Sequence, residues 1–252
     1  YTDYEVRLAF SSRIIVKRLR DRGIEIPTEQ GALDALIGEG YTDIYVQPLH
    51  FTGGEEFDKL KHNILNHERA QELNTLRVGR PLVYYMGQEE HPNDYQILID
   101  TFVTSLSVSN EDGLLLVGHG GLGSGNSAYG YLQYQLIRSG LNHVRVATLE
   151  NAPYVDDVAV PWEWLDGKKP NKIYVHPLLL VLGDHALNDL FGDEEDSVVN
   201  VLKEAGYEVE EMHHALGEYT EIQDIYCQHI QDCIDDIYGK RSSHRPAIPN
   251  VK

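Results

Sequence analysis

Apolar residues along this chain fall into short runs, separated by longer segments with helical spacing. Six of the runs read as strands: Ile44 to Leu49, Leu76 to Val78, Leu114 to Val117, Val144 to Thr148, Lys172 to Val175 and Tyr207 to Glu210. Between them the spacing predicts helices over about 28–38, 55–72, 92–107, 126–139, 153–165 and 195–205, and a last helix over about 218–238. Such alternation argues for parallel sheets covered by helices, an α/β architecture. In folds of this kind ligands gather beyond the carboxyl ends of the strands. The residues just after each strand are therefore the informative ones.

Those positions expose an internal repeat. Ile44-Tyr-Val-Gln-Pro-Leu-His50 runs on to Gly54-Glu55-Glu56, and Ile173-Tyr-Val-His-Pro-Leu-Leu179 runs on to Gly183-Asp184-His185. The two align without a gap, each reading strand, Pro-Leu, loop, then a glycine and an acidic residue opening a helix. We expect two similar Rossmann-like or flavodoxin-like domains related by duplication, with a cleft between them. The expected division is 1–108 and 109–217, the helix at 218–238 completing the first domain and 239–252 forming a polar tail. Carried back by the same offset, the strand that ends at His119 has its counterpart before Tyr1. The chain is thus expected to begin inside its first domain, without that domain's first strand and helix.

Composition narrows the partners. Forty acidic residues against 21 basic ones leave a net charge of −19. A field of that sign repels phosphate backbones, so nucleic acid is an unfavourable partner, and it attracts cations. No apolar run approaches the ~20 residues of a membrane span. No leader precedes the first strand, which points to the cytoplasm, or to the periplasm for a chain whose leader was removed. Cys227 and Cys233 would be separated by about 9 Å of helical rise, too far to bridge within one helix, so both are expected as free thiols. A homo-oligomer is compatible with these features.

Three residues stand out for chemistry. Leu114-Leu-Leu-Val-Gly-His119-Gly120-Gly121 is a buried strand that delivers a histidine at the sheet edge between glycines. Such glycines let backbone approach a ligand closely. The imidazole suits metal ligation or proton transfer, although capping of the next helix is the plainer alternative. His185, behind Asp184, stands at a helix start with a carboxylate beside it. Glu56 occupies the matching position in the first repeat, where acidic residues commonly just complement a helix dipole. Taken together, two imidazoles and a carboxylate suit Co(II), Fe(II), Ni(II) or Zn(II) and leave coordination positions open.

The stretches Ala9-Phe-Ser-Ser-Arg-Ile-Ile15, Gln47-Pro-Leu-His50, Gly54-Glu-Glu56, Val117-Gly-His-Gly120 and His176 through Asp189 resemble the anaerobic sirohydrochlorin cobaltochelatases, relatives of the class II chelatases. The resemblance implies insertion of a divalent ion, cobalt or else iron or nickel, into a polycarboxylated tetrapyrrole, with no organic cofactor. It implies metal ligation by His119, His185 and Glu56; we expect His119 to serve in turn as proton acceptor and ligand. Arg13, with Lys17 and Arg20 on one helix face, and the backbone at Gly120 and Gly121 are the expected contacts to the macrocycle and its carboxylates.

Three rivals remain in view. A histidine phosphatase needs an arginine where Gly118 stands. A tetrapyrrole carrier would bind the macrocycle without inserting metal, with His62, His67 and His91 as surface candidates for ligating a haem. A structural subunit is the third.

Overall fold

Hydroxyl and amide side chains open several of the helices by accepting a backbone N–H that the first turn leaves unpaired. Ser12 does this for α1 (Arg13–Asp21) and Thr28 for α2 (Glu29–Gly38), through Ile15 N–H and Gly31 N–H respectively. The computed structural model describes residues 3–158, 162 and 169–238, with the side chains of Val158, Asp184 and His185 outside the description. The expected tail at 239–252 and most of the segment 159–168 also lie outside the described residues.

The chain divides into two compact units. The smaller comprises Tyr1–Pro48, Glu56–Arg80 and His229–Lys252. After α2 come β1 (Asp43–Val46), α3 (Glu55–Leu65) and β2 (Thr75–Val78), the strands pairing in parallel with Ile44 opposite Leu76. α3 buries Phe57, Leu60, Ile64 and Leu65, a stripe at helical spacing. It stops at Leu65 rather than near 72, because the Asn66 side chain donates to the His62 carbonyl and closes the last turn. His67 is buried and accepts the Arg69 N–H, so it is not the surface residue expected from sequence. Within this unit Arg80 and Asp232 form a buried ion pair at 2.7 Å. Arg77 donates to the carbonyls of Cys233 and Ile234, where a helix end is electronegative. Cys227 and Cys233 are both free, as expected.

The larger unit comprises Leu49–Glu55 and Pro81–Gln228. The segment 81–108, read with the first half in sequence, is held here by packing. Its helix α4 (Asp94–Leu98) widens into a π turn over Ile99–Val103 and tightens over Thr104–Leu106. Thr101 and Thr104 hydroxyls bond back to the carbonyls of Ile97 and Asp100, which competes with regular helical pairing. Leu98, Ile99 and Phe102 share one core with Leu114 and Leu116.

Those two leucines belong to β3 (Gly113–Gly118), buried along its whole length. Leu115 and Val117 point the other way, into a second core with Ile173, Val175 and Leu202. A strand apolar on both faces belongs in the middle of a covered parallel sheet. Each such side chain contributes about 1.5 to 3 kcal/mol by leaving water. α5 (Ser127–Arg138), β4 (Val144–Thr148), α6 (Val155–Val158) and β5 (Lys172–Pro177) follow, then α7 (Asp184–Phe191), α8 (Val198–Glu204), β6 (Glu208–Glu211) and α9 (Thr220–Ile234). The four strands are parallel in the order β4-β3-β5-β6. The chain leaves β3 to one side for β4 and returns across it for β5, so winding reverses at β3. α9 belongs to this unit as far as Gln228 and to the smaller one beyond.

The repeat is visible in this architecture. α3 begins at Glu55 and α7 at Asp184, the same separation as Ile44 and Ile173. β1 pairs in parallel with β2, and their counterparts β5 and β6 do likewise.

Candidate functional site

Where winding reverses in a parallel sheet, the loops from neighbouring strands diverge and leave a crevice at their carboxyl ends. In the larger unit the three strands at that point are β4, β3 and β5. Their exits lead to Glu150, His119 and His185 respectively.

His119 follows β3 directly and is about half exposed, its Nδ1 lying 3.2 Å from the Gly120 carbonyl and 3.6 Å from Glu150 Oε2. Glu150 stands two residues past β4 and is exposed to the same degree. Backbone bonds keep the two loops in step: Leu149 N–H donates to Gly118 and Glu150 N–H to His119, each at 3.0 Å. The carboxylate beside the histidine is thus Glu150, which sequence reasoning did not single out. One positional signal was available, since Glu150 lies two residues past the end of its strand and His119 one residue past β3.

Glu56, expected as the carboxylate donor, lies in the first turn of α3 in the smaller unit. There it is paired with Lys59 at 3.0 Å. His185 is the second residue of α7, which begins seven residues past β5. Among the described residues, no three His, Cys, Asp or Glu side chains converge as a metal cage.

Gly120 adopts φ +82°, and a Cβ on it would sit 3.1 Å from both Asn151 N and Thr148 Cβ. Glycine is required there so that the His119 loop can lie against the β4 loop. Gly121 has open space around its α-carbon, and its N–H is already given to Asn126. Gly118 is pressed on by Tyr129 of α5, whose ring would meet an added Cβ at 2.1 Å. Tyr129 also stacks on Phe51 with centroids 5.5 Å apart. Its phenol oxygen receives the backbone N–H groups of His119 and Gly120, while burial pushes its pKa up to about 12. The Gly53-Gly54 turn before α3 is equally close, since a Cβ on Gly125 would fall 2.3 Å from Gly54 Cα.

Beyond the ends of β5 and β6 the larger unit carries an open pocket of about 780 Å³. Its wall is mostly apolar, with Leu180, Val181 and Leu182 from the loop that leads to α7, and Ile222 and Tyr226 from α9. His213 and Glu218 supply polar rim groups. His213 is paired with Glu211 at 2.9 Å and rests on Phe191. Val181 and, past β3, Leu122 are among the most exposed apolar side chains, at 73% and 72%. Arg13, Lys17 and Arg20 are exposed along α1 in the smaller unit.

The chain is similar to the sirohydrochlorin cobaltochelatase of Salmonella typhimurium, 29% identical over 236 residues that cover 92% of this chain and 84% of that protein. It is also similar to the sirohydrochlorin cobaltochelatase CbiKC of Nitratidesulfovibrio vulgaris, 26% identical over 227 residues covering 89% and 77%. Among solved structures, SirB from Bacillus subtilis with Fe3+ matches with a TM-score of 0.55 at 15% identity over 90% of each chain, a likeness of fold. The cobalt chelatase (CbiK) family model matches residues 1–235, almost all of the described chain, and the protein therefore belongs to that family of metal-inserting enzymes.

Proposed function

We propose that this enzyme inserts Co(II) into sirohydrochlorin, taking the ion on His119, Glu150 and His185 at the carboxyl edge of β3, β4 and β5. The observation that carries the reading is the His119–Glu150 pair, 3.6 Å apart on adjacent strand ends. The β5 loop on the other side of β3 leads to the second histidine. Two imidazoles and a carboxylate leave room for incoming pyrrole nitrogens at a cobalt ion. Glu56, the carboxylate that the family resemblance put forward, is paired with Lys59. Glu150 takes its place in the proposal.

Metal insertion must remove two protons from the pyrrole nitrogens. A neutral imidazole can take one only after its lone pair leaves the ion, so ligation and proton acceptance by His119 are successive, and the other proton passes to solvent water. Glu150 Oε2 stands 3.6 Å from Nδ1, beside the ring that takes the proton. The apolar wall at Leu180 to Leu182, with the exposed Leu122 and Val181, suits the flat face of a macrocycle whose carboxylates stay at the rim. Holding the ring against the ion supplies proximity, a large share of the acceleration in such reactions.

The test mixes purified protein, sirohydrochlorin and Co(II) and follows the absorbance change of insertion beside the His119→Ala, His185→Ala double variant. Loss of insertion in the variant is expected. Equal rates in both, matching a protein-free blank, would leave a tetrapyrrole carrier in place of an enzyme.

A further inference from the structure

Asn126 ends the tight turn Gly123–Asn126 and stands immediately before α5. An asparagine in that position ordinarily accepts a first-turn N–H of its own helix. This one makes no capping bond. Its carboxamide is engaged on both sides of the sheet edge instead. Oδ1 accepts the Gly121 N–H at 3.1 Å, two residues past His119, and Nδ2 donates to the Ala152 carbonyl, two residues past Glu150. Donor and acceptor of one amide thereby tie together the two loops that carry the histidine and the carboxylate. One turn along α5, Tyr129 supports the same loop from beneath by receiving the N–H groups of His119 and Gly120.

We infer that Asn126 is a positioning residue for metal capture, fixing the separation of His119 and Glu150. The inference rests on the proposal that this pair holds the ion. An amide suits the place because one contact demands an acceptor and the other a donor, and its oxygen and nitrogen supply the two on one planar group. Partners that orient metal-binding side chains from behind typically contribute about 10- to 100-fold in metal affinity.

The experiment titrates the full chain with Co(II) alone and reads the visible absorption of the bound ion, comparing wild type with Asn126→Leu and Asn126→Ala. Leucine matches the amide in shape, so it keeps the volume filled if alanine fails to fold; thermal melting checks each variant. The expected result is Co(II) affinity weaker by about tenfold or more. In the insertion assay kcat should fall while the KM for sirohydrochlorin stays put. In a His119→Ala background, Asn126→Leu should bring no further loss of affinity. A folded Asn126→Leu protein with wild-type affinity would overturn the inference, and so would the same loss with and without His119. If His119→Ala itself binds Co(II) as wild type does, the ligand assignment is what fails, and the inference falls with it.

Discussion

Acid should destabilise the larger unit through one buried histidine outside the proposed metal site. His176 on β5 is fully buried, with Phe102 at 5.3 Å and the Tyr219 hydroxyl at 2.9 Å from Nε2. Burial is the main cause that lowers its pKa from 6.5 to about 4, and His214 nearby lowers it further. The unfolded chain therefore binds a proton that the folded chain refuses between those two values. Stability is intact above about pH 6.5 and is lost as pH falls towards 4, where this contribution levels off. At about 1.36 kcal/mol per pKa unit the loss is about 3 kcal/mol. His176→Gln isolates it, because glutamine does not titrate and already serves at the equivalent place in the first repeat. There Gln47 donates to the carbonyls of Pro48 and Arg80, both at 2.8 Å. Urea unfolding can be followed by tryptophan fluorescence, since Trp162 is buried in this unit and both tryptophans lie between positions 81 and 228. Wild type should lose about 3 kcal/mol more than the variant between pH 7 and pH 4. Parallel stability profiles for the two proteins would refute the argument.

Three further outcomes test other parts of the structure. Glu150→Gln should weaken Co(II) binding by about tenfold or more while Glu56→Gln leaves it unchanged, measured by titration with the ion alone. Gly118→Ala places a methyl against the Tyr129 ring and should cost about 1 to 3 kcal/mol in thermal or urea unfolding, with weaker cobalt binding in the folded fraction. Asp232→Ala leaves Arg80 buried without its 2.7 Å partner and should destabilise the smaller unit by about 3 to 5 kcal/mol, read by circular dichroism melting.

Much of the strand pattern was legible because β3 is apolar on both faces and ends in a glycine against the Tyr129 ring. The repeat was legible for the same kind of reason, since two Pro-Leu turns and two helix starts occur at one separation. The segment 92–107 was harder. Nothing in its sequence separates it from the first half, and only the packing of Leu98, Ile99 and Phe102 with Leu114 and Leu116 assigns it. Glu150 and Asn126 escaped notice on different grounds. Each is an unremarkable polar residue in a loop, and it acquires meaning only once β3 and β4 are known to be neighbours. Strand order is a property of the folded sheet, and pairwise adjacency leaves no local mark in the chain.

The bond from Glu150 N–H to the His119 carbonyl bears on how an ion would depart. Adjacent strands lie about 4.8 Å apart, and here their exits are stitched together past the last rung of the ladder. If the pair holds the ion as proposed, donors mounted on backbone tied in this way are held against opening like jaws to set a cargo free. Cobalt seated between them would leave by barter, surrendering imidazole or carboxylate only as a pyrrole nitrogen takes each place. Such a handover needs no hinge, and it keeps the ion from straying back to water halfway through.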